Sequence, residues 1–159
     1  MDFKELIETG EGFAQIAFIY NGPPEAGMMA WLDGDEMKTW WKADNAIIDP
    51  YPGGIFYITW AEADESNQHA ICGVMEGIDD ENHCIEISKI FYMAPAGKLG
   101  PIRLQIRFEP AGEQTKLYLR HTHNHQGQLQ KFYNASVHAS WPQTFGLLKN
   151  YLEKNRVMD

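Results

Sequence analysis

The sequence predicts an α+β fold: a curved antiparallel sheet of six strands wrapped around one long C-terminal helix, with two short helices between the first two strands. Three observations carry this. From Gln126 to Asn155, apolar residues recur at Leu129, Phe132, Tyr133, Val137, Trp141, Phe145, Leu148 and Leu152. Those spacings of three and four mark one face of an α-helix. Upstream, Ile102, Leu104, Ile106 and Phe108 alternate with Arg103, Gln105, Arg107 and Glu109, the period of a strand with one wet face. The links between such stretches are short, which favours an antiparallel meander. A wide aromatic helix face laid on a curved sheet leaves room for a cavity between them.

Taken in order, residues 1–12 offer one helical turn through Phe3, Leu6 and Ile7, cut short by Gly10 and Gly12. Gln15 to Tyr20 reads as the first strand, ended by Asn21-Gly22. Pro23-Pro24 suit a first helical turn, so Glu25 to Leu32 forms a short helix, with Asp33-Gly34 as its stop. Asp35 caps a second, running to Trp41. Pro50, Pro52, Gly53 and Gly54 punctuate the chain before the strand Ile55 to Trp60. Glu62 to Asn67 is a polar loop. His69 to Ile78 and His83 to Tyr92 are the next strands, joined at the turn Asp79-Asp80-Glu81-Asn82. Ala94 to Gly100, rich in Gly, Pro and Ala, reads as a mobile connection able to gate a cavity. Pro101 to Glu109 and Thr115 to His123 complete the sheet. Pro142, inside the final helical pattern, should kink that helix or begin its second half.

The 159 residues are 44% apolar and 22% charged, enough for one folded domain spanning 1–159. The net charge of −9 and the sparse pairs Arg103/Arg107 and Lys149/Lys154 argue against nucleic acid as a partner. No run approaches the ~18 apolar residues of a membrane span, and Met1-Asp2-Phe3-Lys4-Glu5 lacks the flank of a signal peptide. A cytoplasmic protein is expected. Hairpin register places Cys72 near Lys89 and away from Cys84, so two free thiols are expected rather than a disulfide.

The residues that bear on chemistry are few. Trp31, Trp40, Trp41, Phe56, Tyr57, Trp60, Trp141 and Phe145 are either core or the walls of a pocket for apolar or planar ligands. His121-x-His123-x-His125 share a strand face, and His138 would make a fourth imidazole for a metal. Without neighbouring acids or an outer shell, no metal is assigned. Asp79-Asp80-Glu81 suits a solvated turn. Glu76 and Glu86 lie within strands; Glu86 faces inward only if Cys84 and Ser88 do, in place of Ile85 and Ile87. There is no nucleophile elbow, phosphate loop, dinucleotide fingerprint or zinc-finger spacing, and no cofactor is called for. Gly53-Gly54 lacks the following helix that phosphate binding needs.

The order of elements, together with Trp40-Trp41, Pro52-Gly53-Gly54-Ile55-Phe56, Gly73-Val74, the strand Thr115 to His121, Ser140-Trp141, Leu148 and Tyr151-Leu152-Glu153, resembles the START-like, birch-pollen-allergen-like superfamily. Within it, the chain is most similar to the branch named for the activator of the heat-shock protein 90 ATPase, from about Ile16 to Asn155. The resemblance implies a helix-grip fold enclosing a cavity, often for a lipid, a polyketide or another apolar molecule. It also implies an inward-facing His121 serving as a specificity contact. The expected function is binding of a hydrophobic small molecule in that cavity by Trp40, Phe56, Ile58, Leu104, Ile106, Leu119, His121, Trp141 and Phe145, with no catalytic residue. One alternative is a chaperone-linked interaction protein. Another is a cyclase- or hydrolase-like enzyme using His121 or Glu86 as acid–base.

Overall fold

A computed structural model of the chain describes residues 2–61, 68–95 and 97–157. The polar loop Glu62 to Asn67 lies outside them. The described residues form one eight-stranded antiparallel sheet with three α-helices. A 3-10 turn, Phe3–Leu6, leads into β1 (Ile7–Gly10) and β2 (Phe13–Asn21). Helices α1 (Pro24–Leu32) and α2 (Gly34–Trp40) follow. Strands β3 (Asn45–Ile48), β4 (Ile55–Trp60), β5 (His69–Asp79), β6 (Cys84–Ala94), β7 (Gly97–Ala111) and β8 (Gln114–His123) form a meander. Helix α3 (Gly127–Val157) closes the fold. β2 pairs along β8, so the sheet runs β1-β2-β8-β7-β6-β5-β4-β3, and α1–α2 carry the chain from one side of it to the other edge.

Two strands beyond the six expected are therefore present. β1 replaces the end of the expected helical turn: Gly12 takes φ +79, reverses the chain and lets Ile7 pair with Ile16. β3 is too short to show a period, and its position rests on pairing with β4. The expected connection Ala94 to Gly100 is instead the tip of the β6–β7 hairpin. Ala94 pairs with Gly97 and Tyr92 with Leu99, and Leu99 is buried. A gating loop there is accordingly withdrawn. Asp33, not Asp35, caps α2: its carboxylate accepts the Glu36 N–H at 3.0 Å.

The pairing across the turn and the burial along β6 settle the cysteines and the buried face of β6. Cys72 sits across from Phe91 instead of near Lys89, Cys84 sits across from Asp79, and both thiols are free. Ile85 and Ile87 point into the core, which sends Glu86 to the outer face, where it pairs with Arg103.

The core lies between the inner face of the sheet and α3. Ala14, Ile16, Phe18 and Tyr20 of β2, Ile102 to Phe108 of β7 at every second residue, and Leu117 and Leu119 of β8 meet Tyr133, Val137, Trp141, Phe145, Leu148 and Leu152 of α3. Each of the larger aliphatic and phenyl side chains among them contributes about 1.5–3 kcal/mol by leaving water. α3 packs on β2, β1, the 3-10 turn and the two short helices. The helix thus rests on one half of the sheet, and the other half curves away beneath it.

Candidate functional site

Under α3, a cavity of about 750 Å³ opens over the inner face of β4 to β8. Its floor is Phe56, Ile71, Ile90, Tyr92, Leu99, Ile102, Leu104, Leu119 and His121. Its roof is Tyr133, Ser136, Val137, Ala139, Ser140, Trp141, Thr144 and Phe145 of α3. Trp31, Trp41 and Trp60 line it too, with Lys42, Asp44, Ala61 and His69. Of the residues expected from sequence, Phe56, Leu104, Leu119, His121, Trp141 and Phe145 line this space. Trp40, Ile58 and Ile106 do not: they are fully buried core side chains. Trp40 stacks on Trp41 with ring centroids 5.0 Å apart, and its indole N–H donates to the Ala30 carbonyl at 2.7 Å.

Of the wall residues absent from the expected site, six bear on its chemistry or lie beside Trp141. Tyr133, Val137, Ser140 and Thr144 share the helical stripe of Trp141, so the period alone offers them. His69 and Tyr92 meet as diagonal neighbours across the β5–β6 ladder, where Tyr92 pairs with Ile71, and the apolar pattern does not mark them.

Two imidazole–phenol pairs belong to the walls. His121 Nδ1 lies 3.1 Å from Tyr133 Oη, and the His121 ring stands edge-on to Trp141, with centroids 4.9 Å apart. His69 Nδ1 lies 2.7 Å from Tyr92 Oη. Burial, reinforced by the neighbouring His123, pushes the His121 pKa down to about 3. Burial likewise raises the Tyr133 and Tyr92 phenols. At neutral pH the His121 pair is therefore uncharged, and its imidazole is a hydrogen-bonding group and a poor base.

The remaining histidines do not build a metal centre. His123 Nδ1 accepts the His125 backbone N–H at 3.1 Å, which puts the proton of the neutral ring on Nε2. A protonated Nε2 cannot ligate. His138 leaves the group to meet Thr9 Oγ1 at 3.2 Å. Among the described residues, no three His, Cys, Asp or Glu side chains come together in a metal-binding group.

A second concavity, about 680 Å³, lies across the sheet, with Glu8, Gln15, Glu86, Arg107, Tyr118 and Arg120 in its wall. Its charged groups have local partners: Glu86 takes Arg103, Arg120 donates to Gln15 at 2.6 Å, and Arg107 stacks on Tyr118 at 4.4 Å. That pattern is a solvated sheet face. It also removes Glu86 from the inner cavity and from any acid–base role there.

A sheet wrapped around a long C-terminal helix, with an apolar cavity between them, defines the helix-grip class. Within it, the chain belongs to the family of activator of Hsp90 ATPase homolog 1-like proteins, whose profile matches residues 22–153. Among solved structures, a Rhodobacter sphaeroides protein superposes with a TM-score of 0.75 at 15% identity, covering 92% of this chain and 96% of that one. A Nitrosomonas europaea protein gives 0.74 at 18% identity, covering 94% and 99%. An HSP90 activator from Plasmodium falciparum gives 0.57 at 20% identity, covering 79% and 88%. At these identities the likeness is one of fold. Among curated protein sequences, none matches the chain significantly.

Proposed function

We propose that this protein binds an apolar or aromatic small molecule in the cavity beneath α3, without acting on it chemically. The observation that carries the reading is a space of about 750 Å³ walled by aromatic and aliphatic side chains in a domain of this size. Phe56, Leu104, Leu119, Trp141 and Phe145 supply contact area, and His121 orients a polar group on the ligand. Several rings, each worth about 1.5–3 kcal/mol on full burial, suffice for useful affinity after ordering costs. The enzyme alternative loses support with Glu86 on the outer face and with His121 a weak base. The same reading has one domain working in the cytoplasm, in keeping with two free thiols. Among the described residues, no helix is long and apolar enough to cross a membrane.

The test is a backbone amide NMR titration with fatty acids, flavonoids and aromatic polyketides. Saturable shifts at Phe56, His121 and Trp141 are expected. Flat spectra across the whole panel would sink the reading.

A second reading, a chaperone-linked interaction protein, is favoured by one feature. Ile47, Tyr51 and Ile55 are 52%, 57% and 52% exposed around β3 and β4, a local concentration of solvent-facing apolar side chains. It predicts that the protein stimulates a heat-shock protein 90 ATPase and that Ile47→Asp with Ile55→Asp abolishes the stimulation. An unchanged ATPase rate on adding the wild-type protein would rule it out.

A further inference from the structure

The cavity has two polar poles, not one. His121 and Tyr133 form the first, under the start of α3; His69 and Tyr92 form the second, on β5 and β6. In each, the phenol occupies Nδ1, and among the described residues neither Nε2 has a partner. A neutral imidazole with Nδ1 engaged offers Nε2 as a donor or an acceptor, depending on which way the phenol hydrogen turns. Between the poles the floor is apolar: Ile90, Leu99, Ile102 and Leu104.

The register sets their separation. β7 lies between the two pairs: His121 is beside Leu104 and Tyr92 beside Leu99. That offset is roughly 15 Å along the strand and, over the three strand spacings from β8 to His69 on β5, roughly 14 Å across it. Imidazoles reaching inward from both ends of a curved sheet shorten this span, which leaves between them room for two linked aryl rings. Charge is distributed unevenly along it. Lys42 and Asp44, both exposed, belong to the same wall as His69, and Asp44 accepts the Ala61 N–H. Among the described residues, no ionised side chain lines the His121 pole, and an anion there would stay unpaired at a desolvation cost that few contacts offset.

We infer that the cavity takes an elongated aromatic ligand with a hydroxyl or carbonyl at each end, one meeting His69 and the other, uncharged, meeting His121. This rests on the reading of the cavity as a ligand site and adds the ligand's length, polarity and direction. Tyr92 and Tyr133 are positioning residues that fix the imidazoles.

Three stilbenes of nearly equal shape test it by fluorescence titration: 4,4′-dihydroxystilbene, 4-hydroxy-4′-methylstilbene and 4,4′-dimethylstilbene. The diol should bind tightest. His69→Phe and His121→Phe should each weaken it about fivefold, the range of one net hydrogen bond, and together about 25-fold. Affinity for the dimethyl compound should stay within about twofold in every variant. In the wild-type protein, the imidazole 15N resonances of both His69 and His121 should move with the diol and stay still with the dimethyl compound, a readout that needs no variant to fold. Equal affinity for all three stilbenes, or a response at only one histidine, overturns the two-pole inference and leaves the cavity a binding site. Failure of every stilbene to bind, alongside a flat NMR titration with the wider panel, removes the binding reading itself and the inference with it.

Discussion

Tyr133 shows how a single side chain can tie the site to the stability of the fold. Its ring meets His121, His123 and His125, at centroid distances of 6.4, 4.1 and 5.8 Å. Burial lowers the pKa of all three imidazoles, and each of His121 and His123 is lowered further by the next histidine. A histidine whose folded pKa lies below the unfolded value of 6.5 takes up its proton more readily in the unfolded chain. Stability is therefore complete above about pH 7 and falls as pH drops through 6.5 toward the folded value. With a folded pKa of about 3, His121 alone removes up to about 1.4 kcal/mol at pH 5.5. Urea midpoints at pH 7.5 and 5.5 should show this loss, and His121→Gln should reduce it. A midpoint that rises on acidification would mean these rings gain a partner when charged. Of this cluster, the sequence displayed His121 and His123 on one strand face, and Tyr133 followed from the helical period. The His69–Tyr92 pair was legible in principle, because the hairpin register expected from the turn sets the two strand ends opposite each other, and the observed register keeps them diagonal neighbours; no apolar pattern draws attention to it.

At the scale of elements, two contacts carry quantitative expectations. Helix α1 lies against β7 at Gly27, where an added Cβ would fall 2.4 Å from Phe108 Cε1 and 2.6 Å from Tyr20 Oη. Alanine favours a helix over glycine by about 1 kcal/mol. Overpacking a rigid contact costs about 1–3 kcal/mol, and Phe108 and Tyr20 are both 0% exposed. The clash should win: Gly27→Ala should lower Tm by several degrees in a thermal melt. Helix α3 runs unbroken from Gly127 to Val157 with Pro142 inside it. The proline leaves the His138 carbonyl without its N–H four residues on. Pro142→Ala should therefore raise Tm by a few degrees; a fall would show that Trp141 and Phe145 need the proline's geometry to reach the floor. The long helix and strands such as β2, β7 and β8 were legible because each shows at least two periods of its pattern, and β5, which does not alternate, was legible from the polar loop and turn that bound it. β1 and β3, four residues each, were not. Their pairing comes from the Gly12 reversal and from β4, which are tertiary facts. The hairpin at Ala94 to Gly97 was hidden because Gly, Pro and Ala read as a loop whatever pairing they adopt.

For the whole molecule, the decisive matter is whether the space beneath α3 stays open in solution or closes as ordinary core. The fold gives a physical reason for openness: α3 is anchored on β2, β1 and the short helices, and β4 to β7 curve away from it. Closing the gap would require bending a sheet whose strands are paired on both sides, at the expense of ladder hydrogen bonds worth about 1 kcal/mol each. Ser136 offers a direct probe. It lines the cavity, is half-buried, and spends its hydroxyl on the Phe132 carbonyl at 2.9 Å, so its loss orphans nothing. In an open cavity, Ser136→Phe places an apolar ring in empty space, and the protein should keep or gain stability while losing its affinity for 4,4′-dimethylstilbene. In a closed core, the same ring overpacks and costs about 1–3 kcal/mol. The two cases also differ without mutation. A ligand present at 100 times its Kd adds about 2.7 kcal/mol to a protein with a formed site, a rise in Tm of roughly 5–10 °C for a domain of this length. Ser136→Phe should abolish that rise at unchanged or higher baseline Tm. A lowered baseline together with a ligand shift as large as that of the wild type would place the ligand elsewhere on the molecule.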